Sequence, residues 1–150
     1  MTKILFVCHG NICRSVMAQC VFTHLAEEAG LSDRFEADSA AVSAEELGNP
    51  IYTPAARKLR EKGVPVLPHR ARQITSGDAG SFDLIIAMDQ RNLRMLRTRI
   101  PEAAEKTRLL LDFTHRPGEV ADPWYTGDFE TAYRDILAGC RGLLAALAGE

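Results

Sequence analysis

Residues 3–15 read KILFVCHGNICRS, a largely apolar run followed by a polar segment that contains a glycine. The apolar character of residues 3–8 is typical of a parallel strand that is buried on both faces. Beyond the polar segment, apolar residues recur at four-residue spacing: Met17, Val21, Leu25 and Ala29. This spacing predicts a helix over residues 15–29. The stretch therefore predicts a strand, a short loop and a helix in direct succession.

The rest of the chain continues this alternation of strands and helices. Further strand patterns cover residues 34–39, 83–88 and 107–113. Further helix patterns cover residues 54–62, 89–100 and 128–147. Such alternation predicts an α/β fold with an open, four-stranded parallel sheet and helices on both faces, a doubly wound three-layer arrangement of the flavodoxin-like type. At this length we expect one domain over residues 1–150.

The composition excludes several classes of protein. A net charge of -2 argues against nucleic acid as a partner, because nucleic-acid binders usually carry a basic excess. No apolar run approaches the roughly 18 residues of a membrane span, and the first residues lack the features of a signal peptide. We therefore predict a cytoplasmic protein. Its cysteines, whose spacing does not suit zinc, are expected to be free thiols: Cys8, Cys13, Cys20 and Cys140. No metal and no cofactor is predicted.

The loop after the first strand combines residues that suit an oxyanion. In an open parallel sheet, ligands bind beyond the carboxyl ends of the strands, where Cys8 lies. Gly10 permits a turn that a Cβ would resist, Asn11 tolerates a left-handed backbone, and the following helix contributes free N–H groups. Arg14 offers a planar fork to two oxygens, and Ser15 can donate a hydrogen bond to a thiolate. Because such surroundings favour the thiolate form of a cysteine, the loop predicts a nucleophile in a phosphate cradle and a cysteinyl-phosphate intermediate. Singly, each residue has an ordinary structural explanation.

A second polar segment, ADPWY at residues 121–125, follows the fourth predicted strand. Parallel strands end at the same edge of a sheet, so Asp122 can reach the Cys8 loop and serve as a general acid. Pro123 restricts the backbone beside it, while Trp124 and Tyr125 offer flat faces to a phenyl ring. From these residues alone, a turn that begins the last helix is an equally good interpretation.

The segment VCHGNICRS resembles the C-x-G-N-I-C-R-S signature of the low-molecular-weight protein-tyrosine phosphatases, and DPWY is similar to that family's D-P-[YW]-Y motif. The resemblance covers nearly the whole chain. It implies that Cys8 is the nucleophile, that Arg14 binds phosphate and that Asp122 acts as general acid and then as base. It assigns the remaining loop positions to phosphate binding and loop support: His9, Gly10, Asn11, Ile12, Cys13 and Ser15. The implied partner is a tyrosine-phosphorylated protein, and we take a monomer as the default.

Weaker similarities imply supporting roles for three further residues. DSAAVS at residues 38–43 resembles a family run in which the serine at Ser39 braces the phosphate loop. HRARQIT and AMDQRNL resemble segments in which His69 bonds to Asn11 and Asp89 lies near the site. The resemblance also supports Cys13 as a resolving thiol, which could form a disulfide with oxidised Cys8.

The chain departs from the family pattern at two places. Val16 follows the signature where the family usually has proline, and we expect only a small structural effect. Several members carry an aromatic wall of the substrate cleft near residues 45–47, where this chain has Glu45, Glu46 and Leu47. Tyr52 is a candidate replacement.

Three alternatives stay open at this point. An arsenate reductase that uses an external small thiol fits the cysteine pattern, whereas the thioredoxin-linked form needs cysteines between Cys20 and Cys140. A protein-arginine phosphatase would resemble the same signature with threonine in place of Ile12. A non-catalytic phosphotyrosine or anion sensor would need neither the Cys8 nucleophile nor the Asp122 acid.

Overall fold

The computed structural model of the protein describes residues 1–149. Its centre is a four-stranded sheet in the order β2-β1-β3-β4, in which every neighbouring pair is parallel. The strands are β1 (Thr2–Cys8), β2 (Phe35–Ala41), β3 (Leu84–Ala87) and β4 (Thr107–Leu109). The predicted fold class is confirmed. The four strand patterns locate the four strands.

The helices lie on both faces of this sheet. They are α1 (Arg14–Glu28), α2 (Thr53–Glu61), α3 (Ser76–Ser81), α4 (Gln90–Arg99), α5 (Pro123–Thr126) and α6 (Phe129–Ala148). The four predicted helices agree with α1, α2, α4 and α6 to within one residue at each end. The two short helices were not predicted, because one turn of helix carries no apolar period. In α3, the sequence SGDAGS is held by a reciprocal cap between Thr75 and Asp78.

The fourth strand is shorter than predicted. It ends at Leu109, and Leu110–Phe113 form a 3-10 turn in place of further strand. The Asp112 carboxylate accepts the Leu109 N–H at 3.2 Å, which satisfies a backbone donor at the turn. Leu110 then packs against Gly139 of α6 in a space that a Cβ at Gly139 would fill. Leu109, Leu110 and Leu111 would be equally at home in a buried strand or a buried turn. The apolar pattern therefore could not show that β4 ends at Leu109.

The first strand explains the three layers. Ile4, Phe6 and Cys8 point to the face covered by α1, α2 and α6, while Leu5 and Val7 point to the face covered by α3 and α4. Because both faces are covered, the buried part of the strand, residues 4–8, is apolar throughout. All four strands end at one edge, and the loops beyond Cys8 and Ala87 begin there next to each other. Within residues 1–149, no helix combines the length and apolar character that crossing a membrane requires.

Candidate active site

The loop after β1 owes its shape to two neighbouring residues with different tasks. Asn11 has φ +61°, the only non-glycine residue of the described chain in the left-handed region. Gly10 does not adopt a positive φ, so Asn11 is the residue of this loop that adopts the left-handed conformation. A Cβ on Gly10 would lie 3.3 Å from Cγ of Glu46, which is tighter than ordinary packing. Glycine here eases the close approach of Glu46 and does not serve an unusual backbone angle.

Asn11 is fully buried and holds the loop from inside. Its Nδ2 donates to Ser15 Oγ at 2.8 Å, and its Oδ1 accepts the backbone N–H of Arg72 at 3.2 Å. His69 Nε2 donates to the Asn11 carbonyl at 2.6 Å. The expected contact between His69 and Asn11 is therefore present, through the backbone carbonyl of the asparagine. Burial lowers the pKa of His69, although this hydrogen bond opposes the shift.

The Cys8 thiol lies at the base of the loop, beside the start of α1. Its Sγ donates to Ser15 Oγ at 3.0 Å, and the Ser15 backbone N–H donates to Sγ at 3.4 Å. Because Ser15 Oγ already accepts a hydrogen from Asn11, its own hydroxyl hydrogen is free to turn towards sulfur. The same serine can therefore accept from the thiol and donate to the thiolate.

Arg14 is the first residue of α1 and only 2% exposed. Its Nη1 donates to Asp89 Oδ2 and to the Val120 carbonyl, both at 2.8 Å, and Nη2 lies 3.4 Å from Asp122 Oδ2. Burial alone would lower the pKa of Arg14, but the charges of Cys8, Asp89 and Asp122 raise it on balance. A fixed positive charge thus lies beside the thiol.

Asp122 has two functions at once, one for each of its carboxylate oxygens. Oδ1 accepts the Trp124 N–H at 3.0 Å and caps the short helix α5, in which Pro123 is the first residue. Oδ2 faces Arg14. The last helix, α6, has its own cap at Asp128, so the turn does not begin that helix directly.

These residues line one pocket beyond the ends of the strands. Its lining consists of Cys8, His9, Gly10, Asn11, Ile12, Cys13, Arg14, Glu45, Glu46, Asp122, Trp124 and Tyr125. Trp124 is 51% and Tyr125 77% exposed at its mouth. Within residues 1–149 there is no group of three or more His, Cys, Asp or Glu side chains arranged to hold a metal ion. The pocket offers a thiol, a buried guanidinium and a carboxyl group to one bound molecule.

Residues 3–150 match the protein family described as "Low molecular weight phosphotyrosine protein phosphatase". The chain belongs to that family. It is 39% identical to the low molecular weight protein-tyrosine-phosphatase YfkJ of Bacillus subtilis, over 100% of this chain and 98% of the relative. The crystal structure of YfkJ superimposes with a TM-score of 0.95, covering 99% of this chain and 96% of that one. The human low molecular weight phosphotyrosine protein phosphatase is 38% identical over 95% of this chain and 93% of its own length.

A solved structure whose name gives a different activity is also similar to this phosphatase. It is the Drosophila arginine phosphatase DARP, with 32% identity and a TM-score of 0.87, covering 97% of this chain and 98% of that one. The common fold therefore does not by itself fix the phosphorylated residue.

The loop support in this phosphatase differs from the family-based expectation at Ser39. Ser39 Oγ donates to Gln19 Oε1 of α1 at 2.7 Å and so braces the helix, not the loop. Ser43, the last residue of the same run, donates its hydroxyl to the His9 carbonyl at 2.9 Å. The register explains the difference, because Ser39 lies beside Phe6 within the strand pair, whereas Ser43 follows the end of β2. Sequence reasoning missed three groups that contact the loop or Arg14: Ser43, Arg72 and Val120.

The wall of the phosphatase pocket also differs from the expected replacement. Tyr52 is not part of the lining; its ring packs against Trp124, with ring centroids 4.7 Å apart. The pocket is lined on the His9 side by Glu45 and Glu46, and Glu45 Oε2 lies 2.8 Å from His9 Nε2. The wall is therefore acidic, where the family resemblance led us to expect an aromatic side chain.

Cys13 and Val16 are both buried in this phosphatase. The Cys13 thiol lies in a small cluster with Ile12 and Ala71, and burial raises its pKa. Val16 is fully buried within α1, which begins two residues earlier, so the absence of proline leaves the helix start intact.

Proposed function

We propose that this protein-tyrosine phosphatase hydrolyses phosphotyrosine in proteins through a phosphocysteine formed on Cys8. The observation that carries the proposal is the meeting of Cys8, Arg14 and Asp122 in one pocket, although Asp122 is 108 residues from Arg14 in the chain. A nucleophile, an anion-binding cation and an acid are the parts that phosphoryl transfer through a covalent intermediate requires.

In the first step, Cys8 Sγ attacks phosphorus, and the bond between phosphorus and the tyrosyl oxygen breaks. Arg14 and the backbone N–H groups of the loop hold the non-bridging oxygens, while Asp122 gives its proton to the leaving phenolic oxygen. Nη1 of Arg14 is engaged by Asp89 and Val120, which leaves Nε and Nη2, the latter 3.4 Å from Asp122 Oδ2, to bind the phosphoryl oxygens. Because the guanidinium is held before substrate arrives, little reorganisation is needed during the reaction.

In the second step, the Asp122 carboxylate takes a proton from a water molecule whose oxygen attacks phosphorus. The bond between phosphorus and sulfur breaks, inorganic phosphate leaves, and Cys8 returns as a thiolate. The Ser15 hydroxyl can donate to that thiolate, since its oxygen already accepts from Asn11. Asp122 is thereby protonated again and ready for the next cycle.

The lining of the pocket supports an aryl substrate with a particular surrounding charge. Trp124 and Tyr125 offer exposed rings to the phenyl group, and Ile12 adds an apolar contact. Glu45 and Glu46 add negative charge at the wall, which favours basic residues next to the phosphotyrosine. We further propose that the enzyme acts as a cytoplasmic monomer on tyrosine-phosphorylated proteins.

Cys13 is proposed as a protective partner of Cys8 under oxidation. Peroxide would oxidise Cys8 to a sulfenic acid, and attack by Cys13 would give a disulfide and water. Burial raises the pKa of Cys13, so little of this thiol is the reactive thiolate and the attack is slow. Mass spectrometry after mild peroxide tests the idea: a Cys8–Cys13 disulfide supports it, and over-oxidised Cys8 without that bond refutes it.

Hydrolysis of a phosphotyrosyl peptide by the wild type, Cys8→Ser and Cys20→Ser tests the function. Cys20 is an equally buried free thiol outside the pocket lining and serves as the matched control. We expect Cys8→Ser to lose activity and Cys20→Ser to keep it. Asp122→Ala should lose more kcat/KM on tyrosyl phosphates than on p-nitrophenyl phosphate, whose leaving group needs no proton. Faster hydrolysis of a phosphoarginyl peptide by the wild type would favour the arginine phosphatase alternative instead.

A further inference from the structure

Tyr52, immediately before α2, contacts two loops that supply groups to the pocket. Its backbone N–H donates to the Ile12 carbonyl of the phosphate loop at 2.8 Å. Its ring packs against Trp124 at 4.7 Å and against Phe129 at 6.0 Å between centroids. The residue thus joins the loop that follows β1 to the segment that carries Asp122, without lining the pocket itself.

The segment around Asp122 is anchored at both ends, and its middle, the short helix α5, is held by hydrogen bonds to the Asp122 carbonyl and by the aromatic contact. Upstream, the Val120 N–H donates to the Met88 carbonyl at 2.9 Å, and the Val120 carbonyl accepts from Arg14. Downstream, α6 begins at Phe129. Between these points, the Trp124 ring is half exposed and rests on Tyr52.

The position of Trp124 matters because its backbone N–H holds one oxygen of Asp122 at 3.0 Å. Without the Tyr52 ring, the indole and the one-turn helix α5 that carries it lose a contact that holds them in place, and the Trp124 peptide group is freer to shift. The Asp122 carboxyl would then lose the hydrogen bond that orients it towards the pocket. General acid catalysis depends on placing the proton within hydrogen-bond distance of the leaving oxygen, so a small displacement is costly.

We infer that Tyr52 is a positioning residue, which holds Trp124 and through it orients Asp122 for proton transfer. This inference rests on the proposed function, since it assigns to Tyr52 an effect on the acid of that reaction. The phenyl ring carries the effect, because the backbone hydrogen bond to Ile12 is made by any residue other than proline at this position.

The test compares Tyr52→Ala, which removes the ring, with Tyr52→Phe, which keeps it. Two substrates are used: a phosphotyrosyl peptide, whose phenolate needs a proton, and p-nitrophenyl phosphate, whose nitrophenolate does not. The quantity compared is kcat/KM, which reports steps up to the first phosphoryl transfer. For Tyr52→Ala we expect a loss of about tenfold on the peptide, part of the 10²–10⁴ that general acids supply, and about twofold or less on the nitrophenyl ester. Tyr52→Phe should resemble the wild type on both substrates.

A second readout comes from the fact that Trp124 is the only tryptophan of the chain. Its fluorescence reports the Asp122 segment directly. In Tyr52→Ala, acrylamide should quench this fluorescence more strongly than in the wild type or in Tyr52→Phe. Phe82→Ala, which removes a buried ring packed against the opposite face of the sheet, serves as the control for a general loss of packing. Phe82→Ala should leave unchanged both the ratio of kcat/KM for the two substrates and the quenching of Trp124 fluorescence.

The outcomes distinguish a failure of the positioning role of Tyr52 from a failure of the proposed phosphatase activity. Any loss of folded protein lowers both activities equally and cancels in their ratio. Equal losses on both substrates, or unchanged Trp124 quenching, in Tyr52→Ala would overturn the positioning role while leaving the proposed function intact. If the wild type hydrolysed neither substrate, the proposed function itself would fail.

Discussion

Replacement of Asn11 by alanine or by glycine separates the two ways in which this residue shapes the phosphate loop. Either change removes the side-chain hydrogen bonds to Ser15 Oγ and to the Arg72 N–H. Alanine must also adopt φ +61°, whereas glycine adopts it without steric strain. The backbone contact with His69 is available to both variants, because it involves the carbonyl of residue 11.

The expected magnitudes follow from these contacts. Two hydrogen bonds at about 0.5–1.5 kcal/mol each give roughly 1–3 kcal/mol for either Asn11 variant. The left-handed conformation adds about 1–2 kcal/mol for alanine, while the entropy of a freer unfolded chain adds about 0.5–1 kcal/mol for glycine. We therefore expect losses of about 2–5 kcal/mol for Asn11→Ala and about 1.5–4 kcal/mol for Asn11→Gly. The difference between the variants, about 0–1.5 kcal/mol, is the cost of the backbone angle for alanine less the entropy cost of glycine.

Urea denaturation provides the free energies of unfolding. With a slope of about 2 kcal/mol per molar urea, the middle of the range for small proteins, a loss of about 3 kcal/mol lowers the midpoint by about 1.5 M. Asn49→Ala is the control, since Asn49 is exposed and its loss should change stability by less than about 0.5 kcal/mol. Both Asn11 variants should also hydrolyse p-nitrophenyl phosphate poorly in the absence of urea, because Ser15 is no longer held beside Cys8. An Asn11→Ala variant as stable as the wild type, or more stable than Asn11→Gly, would refute this account of the loop.

Three further predictions concern packing, substrate charge and pH. Gly142→Ala should lose about 2 kcal/mol or more in urea denaturation, because a Cβ there overlaps the Phe113 carbonyl. The double change Glu45→Gln and Glu46→Gln should lower the kcat/KM preference for basic-flanked over acidic-flanked phosphotyrosyl peptides by about fivefold, and an unchanged preference would rule out the acidic wall as its cause. Burial lowers the pKa of His69, so below about pH 6.5 the unfolded chain binds its proton more readily and stability falls. His69→Gln should flatten the urea midpoint between about pH 7.5 and 5.5, and an equally steep loss in that variant would assign the pH dependence to other groups.

The sequence predicted the two central strands, β1 and β3, because they are apolar on both faces. Ile4 and Leu5 face opposite layers, yet both are fully buried, so no alternation was needed to recognise the strand. The short helix α3 could not be recognised in the same way, since SGDAGS has no apolar period and owes its form to a cap. The end of β4 was missed because Leu110 is as buried in a turn as it would be in a strand.

Site residues that are close together in the chain were predictable from the sequence. Residues whose contacts depend on strand register or on side-chain packing were less so. Cys8 and Arg14 belong to one loop, and the parallel sheet places the segment of Asp122 at the same edge. Ser39 and Ser43 could not be distinguished without the strand register, which leaves Ser39 within the strand pair and Ser43 beyond it. The contribution of Tyr52 depends on a ring contact across the chain for which the sequence has no local signal.

Direct observation of the phosphocysteine tests the central claim most closely. Wild type, Asp122→Ala and Cys8→Ser are mixed with p-nitrophenyl phosphate, quenched in acid, digested and analysed by mass spectrometry. The account predicts one phosphoryl group on the Cys8 peptide of the wild type, and more of it in Asp122→Ala, because the base that activates water is missing. Cys8→Ser should carry none. Steady release of nitrophenol by the wild type with no phosphoryl group on Cys8 in either active form, or undiminished release by Cys8→Ser, would contradict the account.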